Sequence, residues 1–457
     1  MSIPAALEAL SSLLKDRLVR SKSDLDLHGR SETHFAPCPP DAVAYPQTTE
    51  EVAALMRICT EQGCPVVGWG AGTSLEAQAL AIRGGVVVDF ARMNKVLEIR
   101  PEDMDCTVQP GITREALNVD LRATGLFFPV DPGANASIGG MAMTRASGTT
   151  AVRYGTMRDN VLGLEAVLAD GRVIRTGTRA RKSSAGYDLT GLLVGSEGTL
   201  GLITELTLRL QGQPEAVSSG VCAFDRIEDA VAAVMETIQM GIPMARIEFV
   251  DAAAAAAFNA YAGDTLPECP HLMIEFHGSD AGVAEQARRF GEIADEHNGK
   301  GFRWSSLEED RRALWAMRHN GYYAILASKR GAQALVTDIC VPISRLAQAV
   351  EETRADIAAS IIPGPILGHV GDGNFHAILL VDPERPEELD EAKRLSHRMV
   401  ERALTLGGTA TGEHGVGVGK LDYMAREHGQ AWDVMGEIKR ALDPQGILNP
   451  GKLVRGN

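Results

Sequence analysis

Two short stretches carry side chains able to do chemistry together: His369-Val-Gly-Asp-Gly-Asn-Phe-His376 and Thr411-Gly412-Glu413-His414-Gly415-Val416-Gly417. In the first, the apolar runs 365–368 and 377–381 read as strands. Between them, Gly371-Asp372-Gly373-Asn374 is turn chemistry, and its glycines argue against a helix. The spacing predicts a hairpin with a histidine on each arm beside the turn. Opposed residues there lie close enough for two imidazoles to reach one metal ion; the plainer reading is two polar residues at a hairpin mouth. The second stretch adds a carboxylate and another imidazole on a Gly-rich loop. His369, His376 and Glu413 then make a two-histidine, one-carboxylate set that leaves positions open for a substrate, and His414 can serve as a base. His414 has a second use. Neighbours on extended chain point in opposite directions, but Gly412 and Gly415 can supply a turn that makes it a fourth ligand. Asp372 is read as a turn residue, with ligation as its alternative.

These groups need a frame. Beyond residue 213, strand and helix signals alternate: 221–224 before 227–241, 245–250 before the alanine-rich 251–262, 272–276 before 281–296, and 335–342 before 344–361. The hairpin follows, then a helix at 387–406. This is α+β patterning, an antiparallel sheet with helices on one face. A boundary falls near the QGQPE of residues 211–215.

The N-terminal half is punctuated differently. Residues 1–36 form a helical lead-in: an amphipathic helix at 3–19 carrying Glu8, Lys15, Asp16 and Arg17, then a polar stretch at 22–32. A helix over 48–63 has Thr48 or Thr49 as its N-cap and Glu50 and Glu51 in its first turn. A short buried strand at 65–68 runs into Trp69-Gly70-Ala71-Gly72-Thr73-Ser74, whose backbone N–H groups can wrap a pyrophosphate. It is neither a Walker A loop nor a helix-opening dinucleotide fingerprint, and alone it reads equally as a tight glycine turn. Strand signals at 85–90, 96–99 and 105–109 and a helix at 113–125 lead to Pro129-Val-Asp-Pro-Gly133-Ala-Asn-Ala-Ser137-Ile-Gly139-Gly140. This small-residue stretch lets backbone approach a ligand closely and continues through Ser147-Gly148 to Tyr154-Gly155. Ala169-Asp170-Gly171 is a hairpin signal. A third Gly-rich insert, 192–204, holds Gly195-Ser196-Glu197-Gly198. Three such loops exceed what turns require and point to an extended cofactor lying across the domain.

The 457 residues require two or three domains. Hydrophobic content of 45% and charged content of 23% are those of a globular protein. A net charge of −15 excludes nucleic acid and anionic membrane as general partners. Seven scattered cysteines without a C-x-x-C pair predict a reduced cytoplasmic setting. The N-terminal helix lacks the apolar core of a signal peptide, and no apolar run is long enough to span a bilayer, which leaves peripheral contact with the inner membrane open.

The three Gly-rich stretches resemble the FAD-binding domain of the vanillyl-alcohol-oxidase, or PCMH-type, flavoproteins. The second half resembles the cap domain of the FAD-linked 2-hydroxy-acid dehydrogenases, through HVGDGNFH (369–376), TGEHGVG (411–417), LDPQGILNPGK (442–452), TDICVPIS (337–344) and LWAMRHN (314–320). The chain looks most like the cytochrome-type D-lactate dehydrogenases. The resemblance implies a two-part PCMH-type FAD domain at 37–212, a substrate and metal-binding cap at 213–425, and a segment at 426–457 returning to the FAD domain. Gly68, Gly70, Ala71, Gly72, Thr73, Ser74 and Leu75 would hold the FAD pyrophosphate. Pro132, Gly133, Ala136, Ser137, Ile138, Gly139, Gly140, Ser147, Gly148, Gly155, Glu197, Gly198 and Ile203 would line the rest, and Asn449 would close over the flavin. His369, His376 and Glu413 would hold zinc or manganese, His414 would face the substrate carbon, and Arg318 would receive the substrate carboxylate. From helical pattern alone, Arg318 is a surface salt-bridge residue. Relatives with covalent flavin carry a His or Cys at the linking loop; Gly70-Ala71-Gly72 has neither, so the FAD is expected to be non-covalent, with Cys64 just upstream as the one reservation. Relatives that use 2-hydroxyglutarate carry a Lys and an Asn where Val336 and Ile378 stand, which favours a small or apolar substrate.

The expected activity is FAD-dependent oxidation of a D-2-hydroxy acid, D-lactate to pyruvate, by metal-assisted proton abstraction and hydride transfer. Its alternatives are glycolate or another D-2-hydroxy acid, including D-2-hydroxyglutarate. Outside that class stand a non-catalytic flavin subunit, which leaves the metal set unexplained, and a metal-dependent hydrolase, which leaves the Gly-rich half unexplained. An electron acceptor is implied, a cytochrome, a quinone or another flavoprotein, and a homodimer is compatible. His34, His271, His277, His297, His397 and His428 are read as surface or structural.

Overall fold

The computed structural model describes residues 2–31, 33–180, 182–263 and 266–455. Glu32, the end of the expected polar stretch, lies outside the described residues, as do the last two residues of the C-terminal segment. The chain divides into two compact units. The first comprises Met1–Ser147, Gly155–Gln213 and Glu413–Asn457, and the second Gly148–Tyr154 and Pro214–Gly412.

In the first unit, Thr48 is the N-cap of helix Thr49–Gln62, its hydroxyl accepting from the Glu51 N–H, and Gly63 closes the helix at φ 63°. Val52, Leu55 and Met56 of this helix share a core with Leu7, Leu10 and Leu14 of helix Ile3–Leu14. That core also takes in the strands Ala42–Ala44, Val86–Asp89 and Val66–Trp69, which pair in parallel, with Leu18–Val19 antiparallel at one edge. All four residues of Val86–Asp89 are buried, as a central parallel strand requires. A five-stranded antiparallel sheet runs in the order Val96–Arg100, Asp105–Val108, Leu202–Arg209, Val161–Val167, Val173–Gly177. Gly171, at φ 79°, turns the last hairpin, as Ala169-Asp170-Gly171 leads one to expect. The polar lead-in holds one more helix, Lys22–His28, whose last residue is buried against Asp89.

The second unit is an eight-stranded antiparallel sheet. Its order is Lys300–Ser305, Ala216–Ala223, His271–Gly278, Met244–Val250, Ile366–Gly368, Asn374–Val381, Gln333–Val336, with Ile339–Cys340 also paired to Asn374–Val381. Helices Ile227–Gln239, Asp280–Glu296 and Ile343–Ala358 form the main helical layer. Val250, Met273, Leu367, Ile378 and Leu380 point the other way and pack with Phe258, Trp315 and Ile325 of three further helices, Ala252–Ala262, Glu308–His319 and Gly321–Ala327. The last two of these helices follow one another directly along the chain. They meet at Asn320 (φ −80°, ψ 0°), and Gly321 lies so close to Phe258 that a Cβ there would sit 2.8 Å from its ring.

The compact units divide after Gln213, one residue from the boundary expected at 212, and again after Gly412, upstream of 425. Gly148–Tyr154 leaves the small-residue run and packs in the second unit, where Arg153 donates to the carbonyls of Pro243 (2.8 Å) and His277 (3.0 Å). The second unit ends at Gly412, because the residues after it bond to the first unit's own loops.

Candidate functional site

The expected hairpin is present. Leu367 faces His376 across the two strands, and the turn is closed by the Asp372 and Asn374 N–H groups donating to the His369 carbonyl (3.0 and 3.3 Å). Asp372 holds its place in the turn. Gly373 has φ 80°, and a Cβ there would collide with the Val341 carbonyl, so the turn admits no larger residue. The His369 and His376 rings sit 5.6 Å apart at 81°.

Each imidazole is held from behind. His376 Nδ1 lies 2.9 Å from the Thr337 carbonyl, and His369 Nδ1 lies 2.6 Å from Glu248 Oε1. A carbonyl and a carboxylate can only accept, so Nδ1 carries a proton on both rings, which leaves Nε2 as the ring atom that can ligate when the imidazole is neutral. Two imidazoles prepared in this way suit a divalent cation, by the chemistry of the donor set alone.

Two carboxylates in this unit went unassigned in the sequence. Asp338 is fully buried, accepts from Asn374 Nδ2 (2.7 Å), Thr411 Oγ1 (2.6 Å) and the Gly412 N–H (2.8 Å), and stands 3.7 Å from His376 Nδ1. It ties the hairpin to the start of the second motif. An acidic residue inside the apolar run 335–342 was the signal that could have marked it. Glu248 is the second, fully buried at the middle of strand Met244–Val250. Its Oε2 accepts from Arg318 Nη2 at 2.5 Å. Burial pushes its carboxyl up, but His369 and Arg318 outweigh burial and hold it below the ordinary carboxylate value. Arg318 is therefore no surface salt-bridge residue: it is 9% exposed in the last turn of helix Glu308–His319, and its Nε is buried without a hydrogen-bond partner.

In the first unit the Gly-rich segments converge. Gly70, in the loop that continues through Ala71, Gly72, Thr73, Ser74 and Leu75, abuts Ser137 so closely that a Cβ would strike its hydroxyl. Ser137 caps helix Ile138–Thr144 by accepting from the Gly140 N–H, and Gly139 packs on Pro110. Pro132 and Ala136 flank this turn, and Gly133 is exposed with nothing near it. Glu197, at φ 52°, precedes Gly198, and the Asn449 amide donates to the carbonyls of Glu197 (2.6 Å) and Gln78 (3.0 Å). Ile203 sends its side chain into the core beside Ile138 and pairs with Ala166 in the antiparallel sheet. Gly155 turns at φ 75° against Asp159. Gly148 is the exception: it belongs to the second unit. Such crowded, nearly side-chain-free loops fit a large flat cofactor held by backbone.

The return loop is fixed in the same unit. Ser147 Oγ donates to Glu413 Oε2 (2.9 Å), Gln78 Nε2 donates to the His414 carbonyl (2.7 Å), and the Val416 and Gly417 N–H groups donate to the two oxygens of Glu197 (2.6 and 2.8 Å). Burial raises the Glu197 carboxyl even so. The Glu197 side chain is thus given to the loop carrying Glu413 and His414, a role its sequence position did not reveal.

Fold and site define a flavin-dependent oxidoreductase. Residues 213–453 match the family model described as FAD linked oxidases, C-terminal domain, and residues 40–177 match the FAD binding domain. The chain belongs to the FAD-linked oxidases, with FAD as cofactor. Its relatives include the "Probable D-lactate dehydrogenase, mitochondrial" of Danio rerio, 48% identical over 431 residues, 93% of this chain and 87% of that one. The "D-lactate dehydrogenase [cytochrome], mitochondrial" of Arabidopsis thaliana is 45% identical over 97% of this chain and 79% of its own length. A glycolate oxidase subunit of Bacillus subtilis is 36% identical over 91% of this chain and 89% of its own. Solved p-cresol methylhydroxylase shares the fold, with a TM-score of 0.82 at 18% identity, covering 98% of this chain and 96% of that one.

Proposed function

We propose that this protein oxidises D-2-hydroxy acids, D-lactate to pyruvate in particular. The observation that carries the reading is the pairing, through Glu248, of an imidazole prepared for a cation with a buried guanidinium, in the C-terminal domain of an FAD-linked oxidase. Names of relatives at 38–48% identity support lactate, and the glycolate oxidase relative keeps glycolate as the alternative.

FAD, when bound, supplies the acceptor for the hydride leaving C2. A zinc or manganese ion held by His369, His376 and Glu413 would lower the pKa of the substrate hydroxyl. Glu413 is included as the carboxylate of that set because it follows Gly412, whose N–H bonds to Asp338. Arg318 grips the substrate carboxylate and sets which face of C2 is presented. His414 takes the hydroxyl proton as a base near neutral pH. The alcohol thus loses a hydride and a proton and becomes a ketone, and the two electrons pass on to a cytochrome, a quinone or another flavoprotein. Val336 and Ile378, standing where the resemblance puts a Lys and an Asn in relatives that use 2-hydroxyglutarate, support a small or apolar substrate over one with a second carboxylate. Among the described residues no helix is long and apolar enough to cross a membrane. The cytoplasmic setting stays a proposal beside relatives named as mitochondrial.

The test is optical. Purified protein should be yellow, release its flavin on acid precipitation, and bleach anaerobically with D-lactate faster than with L-lactate, glycolate or D-2-hydroxyglutarate. Faster bleaching by one of the others reassigns the substrate, and flavin retained in the pellet ends the non-covalent reading.

A further inference from the structure

Glu248 occupies a position that the reaction, as described, does not use. It lies on the Met244–Val250 strand, whose antiparallel register pairs Phe249 with Gly368 and Val250 with Leu367. Continued by one residue, that register sets Glu248 opposite His369. From the same face of the sheet, Arg318 reaches it out of helix Glu308–His319. One fully buried carboxylate is shared between two donors 70 or more residues away in sequence: Oε1 for His369 at 2.6 Å, Oε2 for Arg318 at 2.5 Å. A buried carboxylate persists only when both its oxygens are satisfied by such partners.

We propose that Glu248 is the positioning residue that holds the metal-binding imidazole and the substrate-binding guanidinium in one rigid frame, so that cation and carboxylate affinity depend on the same side chain. The proposal rests on the reading of His369 as a ligand and Arg318 as the carboxylate anchor. Through Oε1, Glu248 keeps the His369 proton on Nδ1 and its lone pair on Nε2. Through Oε2, it takes one guanidinium N–H and fixes the plane of the rest. The distance between the cation and the anchored carboxylate, which decides where C2 stands, is thereby set by a group that touches neither.

Glu248→Gln must turn an amide N–H toward one partner. Toward His369, it drives the proton to Nε2 and abolishes ligation; toward Arg318, donor faces donor. In FAD-loaded protein, the Zn²⁺ dissociation constant, from chelator competition, should rise about 10- to 100-fold. KM for D-lactate should rise about tenfold, more than kcat falls once Zn²⁺ is saturating. Glu248→Asp keeps the charge but is one methylene shorter and cannot reach both partners. It should restore at most one of the two constants, and it decides alone if the Gln variant fails to retain FAD. Both constants at parental values in Glu248→Asp, or in a folded Glu248→Gln, overturn the proposal. His376→Ala separates the two levels. Metal lost there but kept in the Glu248 variants sinks the role of Glu248 alone, whereas full metal occupancy in His376→Ala sinks the ligand reading beneath it.

Discussion

Arg318 gives one guanidinium N–H to Glu248 before any substrate arrives, and that commitment sets what a substitution there should do. Lysine offers a compact ammonium in place of a planar fork, so it cannot bond Glu248 and a carboxylate in the same geometry. Arg318→Lys should raise KM for D-lactate and cost about 2–3 kcal/mol of kcat/KM, with flavin content unchanged; parental kinetics would move the anchor to another cation. His414 makes a different prediction. Its carbonyl is held by Gln78, so replacing the imidazole leaves the loop tied. His414→Asn should stay yellow and metal-loaded, bind lactate, and reduce its flavin roughly 10²–10⁴-fold more slowly in a single turnover. Metal loss in that variant would make it a fourth ligand instead. The residues bearing recognisable chemistry were legible in the sequence because two histidines flanking a Gly-Asp-Gly turn can go to few places. Asp338 and Glu248 were not, because a carboxylate in an apolar run announces burial only once its partners, 36 to 121 residues away, are folded against it.

At the scale of elements, the Gly-rich loops carry separable demands. Gly70 and Ser137 are in such close contact that an alanine at 70 must displace the Ser137 hydroxyl, which caps helix Ile138–Thr144. Loss of a serine cap costs about 1 kcal/mol, and the loop must shift as well. Gly70→Ala should lower the denaturation midpoint and weaken FAD retention together. Gly133 has open space around its missing Cβ and no positive φ. Gly133→Ala should leave stability within about 0.5 kcal/mol, so any loss of FAD there would report contact with the cofactor rather than damage to the fold. Equal effects of the two substitutions on stability would refute this division. The hairpins, helix caps and alternating elements could be read from local chemistry, since Thr48 and Gly171 act through neighbours only a few residues away. The convergence of the loops could not, because Asn449 meets Glu197 across 252 residues.

At the scale of the whole chain, the excursion Gly148–Tyr154 is what sequence reading missed most completely. It lies inside a small-residue run, and nothing local distinguishes it. It is held in the second unit by a buried polar network. Tyr154 Oη lies 2.7 Å from His277 Nδ1, and His277 Nε2 lies 2.9 Å from Glu275 Oε1. Ser219 Oγ donates to Glu275 Oε2 (3.0 Å) and accepts from Trp315 Nε1 (3.0 Å), while Arg246 lies over the Trp315 ring. Burial alone would raise the Glu275 carboxyl, but the His277 hydrogen bond and the Arg246 charge bring it down to about 2. A carboxylate whose folded pKa is depressed stabilises the fold above its unfolded value, near 4.3, and that contribution disappears as pH falls through the folded value. The shift is worth about 3 kcal/mol at neutral pH. Glu275→Gln removes it. The variant should therefore unfold at lower denaturant than the parent at pH 6, with the gap narrowing steadily between pH 4.5 and 2. Fluorescence of Trp315, buried at the end of the network, gives the readout together with flavin release. A gap of constant size across that window would mean that Glu275 contributes packing and hydrogen bonds but no charge, and the network would then hold the excursion without any dependence on pH.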